Sequence, residues 1–257
     1  SLSLSGALAP GSSSAGLTPD GRKLLVAAGG QVHIINTTEA DTGFVAAIST
    51  ASAPTGIAVL PNSRRAYIAS SGSNFIQIID LVPTIPQLLS TAAVLPSGPA
   101  TAIAIPPNGS RIYAAVAGNV YEIDRVVAAP STAISNPFFA AGAFAFDPDP
   151  PVANALLNNI GNVAVLNIAA RTVASNPFTV PGSLSISEVV APGSNRAFLL
   201  AGSPGRLFSG FISAGGVTTE IVSPQTGVPY GTSAVDIEVV PDGSRLFVAY
   251  AGESRLV

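Results

Sequence analysis

A turn-centred phrase that recurs along the chain constrains its fold more than any other feature. It reads Pro-Asp-Gly-Arg-Lys-Leu-Leu-Val-Ala at 19–27 and Pro-Asp-Gly-Ser-Arg-Leu-Phe-Val-Ala at 241–249. Further copies begin at Pro61, Pro107 and Pro192, and the most degenerate one begins at Pro148. The copies follow one another every roughly 40–50 residues, a length that accommodates about four short strands. The chain is therefore predicted to be built from six similar units.

The phrase has the chemistry of a β-hairpin turn. Proline presets φ, Asp or Asn accepts local hydrogen bonds, and Gly adopts positive φ. Apolar runs flank the turn, such as 56–60 before the second copy and 66–69 after it. These runs predict the first two strands of each unit. Aromatic residues stand six positions after the repeat proline and are predicted to occupy equivalent places in the second strand, packed between adjacent sheets: Tyr67, Tyr113, Phe198 and Phe247.

A third strand is predicted at a regular distance after the second. Its copies lie at 32–36, 76–80, 120–124 and 163–167, and each ends in Asp or Asn. These residues favour a turn towards a fourth strand. Helix periodicity is absent, and 25 glycines and 22 prolines would interrupt most helices. The sequence therefore predicts an all-β chain.

The first strand, the Pro-Asp-Gly turn, a Tyr-Val-Ala-like strand and a Val-x-Val-Ile-Asp-like strand together resemble the YVTN propeller repeat. That group is similar to lactonase-like and quinoprotein-like propellers. The resemblance covers 12–257, although the fourth and fifth copies depart from the pattern. It implies a single domain over 1–257, a six-bladed β-propeller of four-stranded antiparallel blades, with turns near 19, 61, 107, 148, 192 and 241. A β-helix or solenoid is the alternative, although solenoid repeats are generally shorter.

The last unit lacks a fourth strand, which raises the question of ring closure. It supplies strands near 234–240 and 245–250 and a short third strand near 253–257. Residues 1–6 begin with the alternating sequence Ser-Leu-Ser-Leu-Ser, a pattern typical of a half-buried strand. We therefore expect residues 1–6 to pair with 253–257, because an unpaired edge invites aggregation. The same pairing between two chains would produce self-assembly.

Composition restricts the classes of protein to which the chain belongs. Hydrophobic residues make up 47% and charged residues only 10%, against roughly 25% charged in ordinary domains. The eleven Lys and Arg are treated as scattered singly, which predicts no nucleic-acid partner. The sequence contains no uninterrupted apolar run of about 18 residues, so no membrane span is predicted. The missing initiator Met is explained either by removal of a signal peptide or by a sequence cut from a longer chain. The first explanation predicts an extracellular, cell-surface or periplasmic location.

Three carboxylates are the candidate site residues. Asp236 and Glu238 lie two positions apart in the first strand of the last unit, and Glu188 lies in the corresponding strand before it. In a propeller these strands line the central channel, where carboxylates can act as acid and base or bind a cation. The alternative is the polar lining of a wet channel. Asp147 and Asp149 form a second acidic pair, whose oxygens are of the kind that suits Ca²⁺. Because no calcium-binding spacing accompanies them, they are interpreted as a degenerate turn.

No catalytic site or cofactor is predicted from motifs. His33 is the one histidine, lies in an apolar strand and is interpreted as an ordinary strand residue; cysteine is absent. Three functions stay open: a non-catalytic binding module or scaffold with a protein or glycan partner; a subunit of a filament, sheath or surface layer; and a lactonase-like hydrolase. The last depends on fold resemblance alone.

Overall fold

The computed structural model describes most of the chain between its two ends. The described residues are 12–38, 43–125, 133–136, 142–146, 154–159, 162–174, 178–179, 186–190, 196–202, 205–213, 216–222, 234–240 and 244–250. The chain divides into two compact units, Ser1–Ala133 and Ile134–Val257. Each unit is described by itself.

The first two sheets have four antiparallel strands each, joined in sequence order. Sheet 1 consists of β1 (Ser12–Leu17), β2 (Lys23–Ala28), β3 (Gln31–Asn36) and β4 (Gly43–Ser49). Sheet 2 consists of β5 (Pro54–Val59), β6 (Arg65–Ser70), β7 (Phe75–Asp80) and β8 (Gln87–Val94). This sequential order is that of a blade in a propeller.

The third sheet has the same order, with shorter strands. Within the first unit, sheet 3 consists of β9 (Ala102–Ala104), β10 (Ile112–Val116) and β11 (Asn119–Ile123). The first strand of the second unit is β12 (Ile134–Ser135). In all three sheets the repeat phrase forms the turn between the first and second strands, as predicted. The predicted third strands also occur, as β3, β7 and β11.

The three turns share one backbone conformation. Their third residues, Gly21, Ser63 and Gly109, have φ of 69°, 58° and 61°. This left-handed region costs glycine little, and Ser63 is the residue that departs from that preference. In each turn the amide of the third residue donates a hydrogen bond of 2.7–2.8 Å to the carbonyl three residues earlier. The turn chemistry read from the phrase is thereby confirmed.

The second residue of each turn stabilises the hairpin with its side chain. The Oδ1 atoms of Asp20, Asn62 and Asn108 each accept a hydrogen bond of 3.0–3.1 Å from the amide two residues later. Asp and Asn are favoured at such positions for this reason. The repeated Asp or Asn is therefore a structural requirement of the turn.

Apolar side chains fill the spaces between neighbouring sheets of the first unit. Alternation along the strands sends one set of sheet 2 side chains towards sheet 1 and the other set towards sheet 3. The core between sheets 1 and 2 contains Leu25, Val32, Ile34, Ile48, Ala66, Ile68, Ile79 and Leu81. The core between sheets 2 and 3 includes Tyr67, Ala69, Ile76, Ile78, Leu95, Ile103, Ile112, Ala114, Val116, Tyr121 and Ile123.

Neighbouring sheets approach most closely along their first strands, and glycine permits this approach. A Cβ atom added to Gly16 would lie 3.2 Å from Cγ2 of Ile57. One added to Gly56 would lie 2.9 Å from Cγ2 of Ile103, closer than real Cβ contacts. The sheets of the first unit therefore converge at β1, β5 and β9.

The second unit contains two further sheets of four or more strands and a two-stranded sheet within its described residues. Sheet 4 consists of β13 (Ala143–Phe146), β14 (Asn154–Asn159), β15 (Asn162–Asn167), β16 (Thr172–Val173) and β17 (Phe178–Thr179), the last of which also pairs with β15. Sheet 5 consists of β18 (Ile186–Val190), β19 (Arg196–Gly202), β20 (Gly205–Ser213) and β21 (Gly216–Val222). Sheet 6 consists of β22 (Ala234–Val239) and β23 (Leu246–Tyr250).

The packing seen in the first unit recurs in the second. One core joins sheets 4 and 5 through residues that include Leu156, Val165, Leu199 and Phe208. Another joins sheets 5 and 6 through Leu207, Ile237 and Val248, with Phe198 and Leu246 packed against it.

The predicted aromatic positions are equivalent in strand but unequal in burial. All four aromatics lie in the second strand of their sheets. Tyr67 and Tyr113 are 1% exposed, as predicted. Phe198 packs against the core between sheets 5 and 6, as predicted, but it is only partly buried, and so is Phe247.

Several predictions lie outside the described residues. These are the pairing of residues 1–6 with 253–257, the acidic pair at 147–150, and the turns that begin at 148, 192 and 241. Among the described residues, no helix is long and apolar enough to cross a membrane.

Candidate functional site

A groove of about 530 Å³ lies in the first unit, at the end of sheet 2 that carries its first turn. It is lined by three arginines, one carboxylate, a tyrosine, an asparagine and two apolar residues. These are Arg64, Arg65, Arg125, Asp80, Tyr67, Asn62, Leu60 and Val82. Cavities of this size accommodate small ligands or a few side chains of a partner. We call it the arginine groove.

Local sequence explains why the charged side chains of sheet 2 meet here. Arg64 belongs to the repeat turn, and Arg65 is the first residue of β6. Asp80 is the last residue of β7 and lies opposite Arg65 in the antiparallel register. The turn and the end of the third strand therefore deliver these residues to one end of the sheet.

Sheet 3 supplies the third arginine. Arg125 follows β11, and its Nη1 lies 4.0 Å from the position of a Cβ added to Gly109. The same Cβ would lie 3.0 Å from Cδ of Pro61, so the turn of sheet 3 packs against the turn of sheet 2. Glycine at 109 thus permits the close approach that brings Arg125 to the groove.

The groove has more positive than negative charge. Asp124, which precedes Arg125 in the sequence, forms an ion pair with Arg111. Asp80 Oδ1 accepts a hydrogen bond of 3.0 Å from the amide of Val82. Within the described part of the chain, the guanidinium groups of Arg64, Arg65 and Arg125 form no ion pair. Their donors are available to a ligand.

Tyr67 is one of the residues that line the groove, and its hydroxyl is buried. The residue is 1% exposed, and its hydroxyl has no hydrogen-bond partner among the described residues. A buried hydroxyl without a partner costs about 1–3 kcal/mol. Such a group in a native structure calls for an explanation, and a ligand is one.

Sheet 3 shows how the equivalent tyrosine is satisfied. Tyr113 lies opposite Glu122, and its hydroxyl donates a hydrogen bond of 3.1 Å to Glu122 Oε1. The residue opposite Tyr67 is Ile78, which offers no acceptor. The difference between the two tyrosines therefore arises from one cross-strand neighbour.

The predicted carboxylate site falls in the second unit. Glu188 lies in β18 opposite Leu199, and Asp236 and Glu238 lie in β22. These two strands contact each other as the first strands of sheets 5 and 6. The structure describes the backbone but not the side chains of these three residues, so the convergence of their carboxylates stays a prediction. Within the described residues, no group of three or more His, Cys, Asp or Glu is placed to hold a metal.

His33 lies in the sheet, as predicted for a strand residue. It is 4% exposed in β3, and its ring centroid lies 6.2 Å from that of Phe44. Its two ring nitrogens have no hydrogen-bond partner among the described residues. Packing against an aromatic neighbour is the interaction that the structure shows for it.

The arginine groove is not among the features predicted from the sequence, in which the basic residues are interpreted as scattered singly. The fold brings three of them together, which corrects that interpretation. Two signals were present in the sequence: the adjacent pair Arg64-Arg65 inside a repeat turn, and Arg125 directly after the third strand of the next repeat.

Comparison with known proteins supports the fold. No protein-family model matches the chain, and no curated protein matches it. Kuenenia stuttgartiensis hydrazine synthase is similar in structure, with a TM-score of 0.79 at 16% identity, over 96% of this chain and 76% of that one. A chain of a mitotic checkpoint complex has a TM-score of 0.74 at 19% identity, over 93% and 72%.

The fold is a β-propeller. The structural neighbours and the sequential four-stranded antiparallel sheets agree on this architecture. Identities below a fifth carry information about the fold and none about activity.

Proposed function

We propose that this propeller is a non-catalytic binding module or scaffold, secreted or displayed at a cell surface, with a protein partner. The arginine groove is the observation that supports this function. Arginine stays protonated and offers donors in a fixed fork, so it recognises acidic groups and does not exchange protons at neutral pH. The groove lining is therefore suited to recognition.

The proposal includes the finer architecture read from the sequence. It has six YVTN-like blades, with residues 1–6 completing the last blade beside 253–257. The six repeat turns support the number of blades, and the alternation of Ser and Leu at 1–5 supports the closing strand. In a closed ring Leu4→Asp opens the last blade, and faster hydrogen exchange in sheet 6 is the expected result.

A screen with random peptides tests the binding function. The folded chain is immobilised, a displayed library is panned, and enriched peptides are resynthesised and titrated in solution. Saturable binding of at least one such peptide supports a binding module. Absence of any enriched peptide, or turnover of a panel of lactones by the same preparation, contradicts it.

Assembly is a second candidate, which the outer strand of sheet 2 favours. β8 is the edge of its sheet, and its sequence, Gln-Leu-Leu-Ser-Thr-Ala-Ala-Val, contains no charge. Exposed apolar side chains lie on this strand and in the segment before it: Val82, Ile85, Leu88, Leu89 and Val94. Uncharged edges of this kind pair with other strands.

Light scattering against concentration tests the assembly function. A filament or sheath subunit grows in mass with concentration, and Val94→Lys should abolish that growth by placing a charge on the edge. Ser49→Lys, on the outer strand of sheet 1, is the control. A constant monomer mass at all concentrations contradicts assembly.

A further inference from the structure

We propose that the arginine groove binds the carboxylate of an acidic peptide segment, and that the Tyr67 hydroxyl donates a hydrogen bond to it. This rests on the proposed binding function and specifies its ligand. Three features of the first unit carry the inference: the available guanidinium groups, the buried hydroxyl, and the pairing seen at the equivalent place in sheet 3.

The guanidinium groups select an anion. Arg64, Arg65 and Arg125 line the groove together with one carboxylate, Asp80. Hydrogen bonds between arginine and a carboxylate are charge-assisted, frequently bidentate, and about twice as strong as those between neutral groups. An anionic group in the groove gains these donors without breaking an ion pair between described residues.

Tyr67 favours a carboxylate as the anionic group that binds in the groove. The equivalent Tyr113 already donates to a carboxylate, Glu122, at 3.1 Å. In sheet 2 the place of that carboxylate is taken by Ile78, and the hydroxyl of Tyr67 is without a partner among the described residues. A carboxylate from a ligand reproduces the pair that sheet 3 makes internally.

The apolar lining favours a peptide as the source of the carboxylate. Leu60 and Val82 line the groove beside the arginines, and Val82 is 57% exposed. Ile85, three residues further along, is also exposed. An acidic residue next to an aliphatic one matches this arrangement, since the aliphatic side chain covers Val82 while the carboxylate meets the arginines.

Fluorescence anisotropy with a defined probe tests the inference. The probe is a labelled peptide of alternating Glu and Leu, compared with the same peptide carrying Gln for Glu. We expect saturable binding of the Glu peptide, at least tenfold weaker binding of the Gln peptide, and weakening of the Glu complex as salt is raised.

Paired variants locate the site. Tyr67→Phe should weaken binding about fivefold or more, and Tyr113→Phe, the matched control, less than twofold. Arg64→Gln and Arg125→Gln should each weaken it about tenfold. Arg22→Gln changes the residue of the sheet 1 turn that corresponds to Arg64 and should have no effect. Circular dichroism checks that every variant is folded.

The outcomes separate this inference from the proposed function. If library peptides bind but Tyr67→Phe and the arginine variants bind the Glu peptide as tightly as the parent, the inference is wrong and the binding function stands. If the screen yields no peptide, the binding function itself fails. If oligogalacturonate displaces the probe and binds more tightly than it, the ligand is an acidic glycan and the assignment to a peptide is overturned.

Discussion

The hydroxyl of Tyr113 donates a hydrogen bond to Glu122, its neighbour across β10 and β11. Tyr67 holds the same place in sheet 2 with Ile78 as its neighbour. Two equivalent aromatic residues therefore have opposite hydrogen-bonding states within one unit, which makes them a matched pair for measuring what a buried hydroxyl costs.

Removing the hydroxyl should have opposite effects at the two positions. Tyr113→Phe loses a bond to a carboxylate, and we expect the free energy of unfolding to fall by about 1–2 kcal/mol. Tyr67→Phe removes a buried group that has no described partner, so the free energy of unfolding should be unchanged or rise by about 1 kcal/mol. Urea denaturation measures both. Equal losses would show that Tyr67 is hydrogen-bonded in solution.

Truncating the aromatic ring tests the packing between sheets. Tyr67→Ala should lower the free energy of unfolding by about 3–5 kcal/mol, because Tyr67 belongs to the core between sheets 2 and 3. Phe247→Ala should cost less, because Phe247 is only partly buried in β23. Denaturation of the two variants side by side decides this. A loss below about 1 kcal/mol for Tyr67→Ala would contradict the alignment of the repeats.

Gly56→Ala tests the close approach of the first strands. The added Cβ would lie 2.9 Å from Ile103 Cγ2, and relieving that overlap should cost about 1–3 kcal/mol. Gly43→Ala is the control, since nothing lies within 4 Å of its added Cβ. It should be neutral or stabilise by about 0.5 kcal/mol, because alanine loses less entropy than glycine in a strand. Thermal melting of both variants ranks them, and a more stable Gly56→Ala would disprove the contact.

Asp20 should make the stability of the first turn depend on pH. A hydrogen bond of 2.6 Å from Thr18 Oγ1 lowers the pKa of this carboxyl, and one from the Arg22 amide adds to the effect. A carboxyl with a lowered folded-state pKa contributes stability above its unfolded pKa, and that contribution is lost as pH falls through the folded value.

The variant Asp20→Asn isolates this contribution. The parent should be the more stable protein at neutral pH. The difference should begin to shrink near the unfolded pKa of about 4 and should vanish only after pH has fallen through the lower folded-state pKa. Asn62→Ala, in the equivalent turn of sheet 2, removes a side chain that does not titrate. Its effect should be constant over the same range, and an equally constant deficit for Asp20→Asn would refute the assignment.

The strands and turns could be predicted because each is encoded locally. The turn phrase fixes a left-handed residue and a side-chain cap within four positions, as Asp20, Asn62 and Asn108 confirm. Strand alternation likewise places Tyr67 and Tyr113 in the core. These features depend on neighbours in sequence, and a single chain shows them directly.

The arginine groove could not be predicted in the same way, because it depends on register and on the contact between two sheets. Whether Tyr67 meets Ile78 or a carboxylate is decided by the pairing of β6 with β7. Whether Arg125 reaches sheet 2 is decided by the packing of Gly109 against Pro61. The partial burial of Phe198 and Phe247 is a tertiary property of the same kind, which identical spacing from the repeat proline did not reveal.

The glycine at 56 makes the angle between two sheets depend on a single methyl group. Because sheets 2 and 3 are in close contact along β5 and β9, a larger side chain at this contact requires the two sheets to separate. Exchange of glycine and alanine along the first strands therefore offers evolution or design a graded means of setting blade pitch without altering any turn.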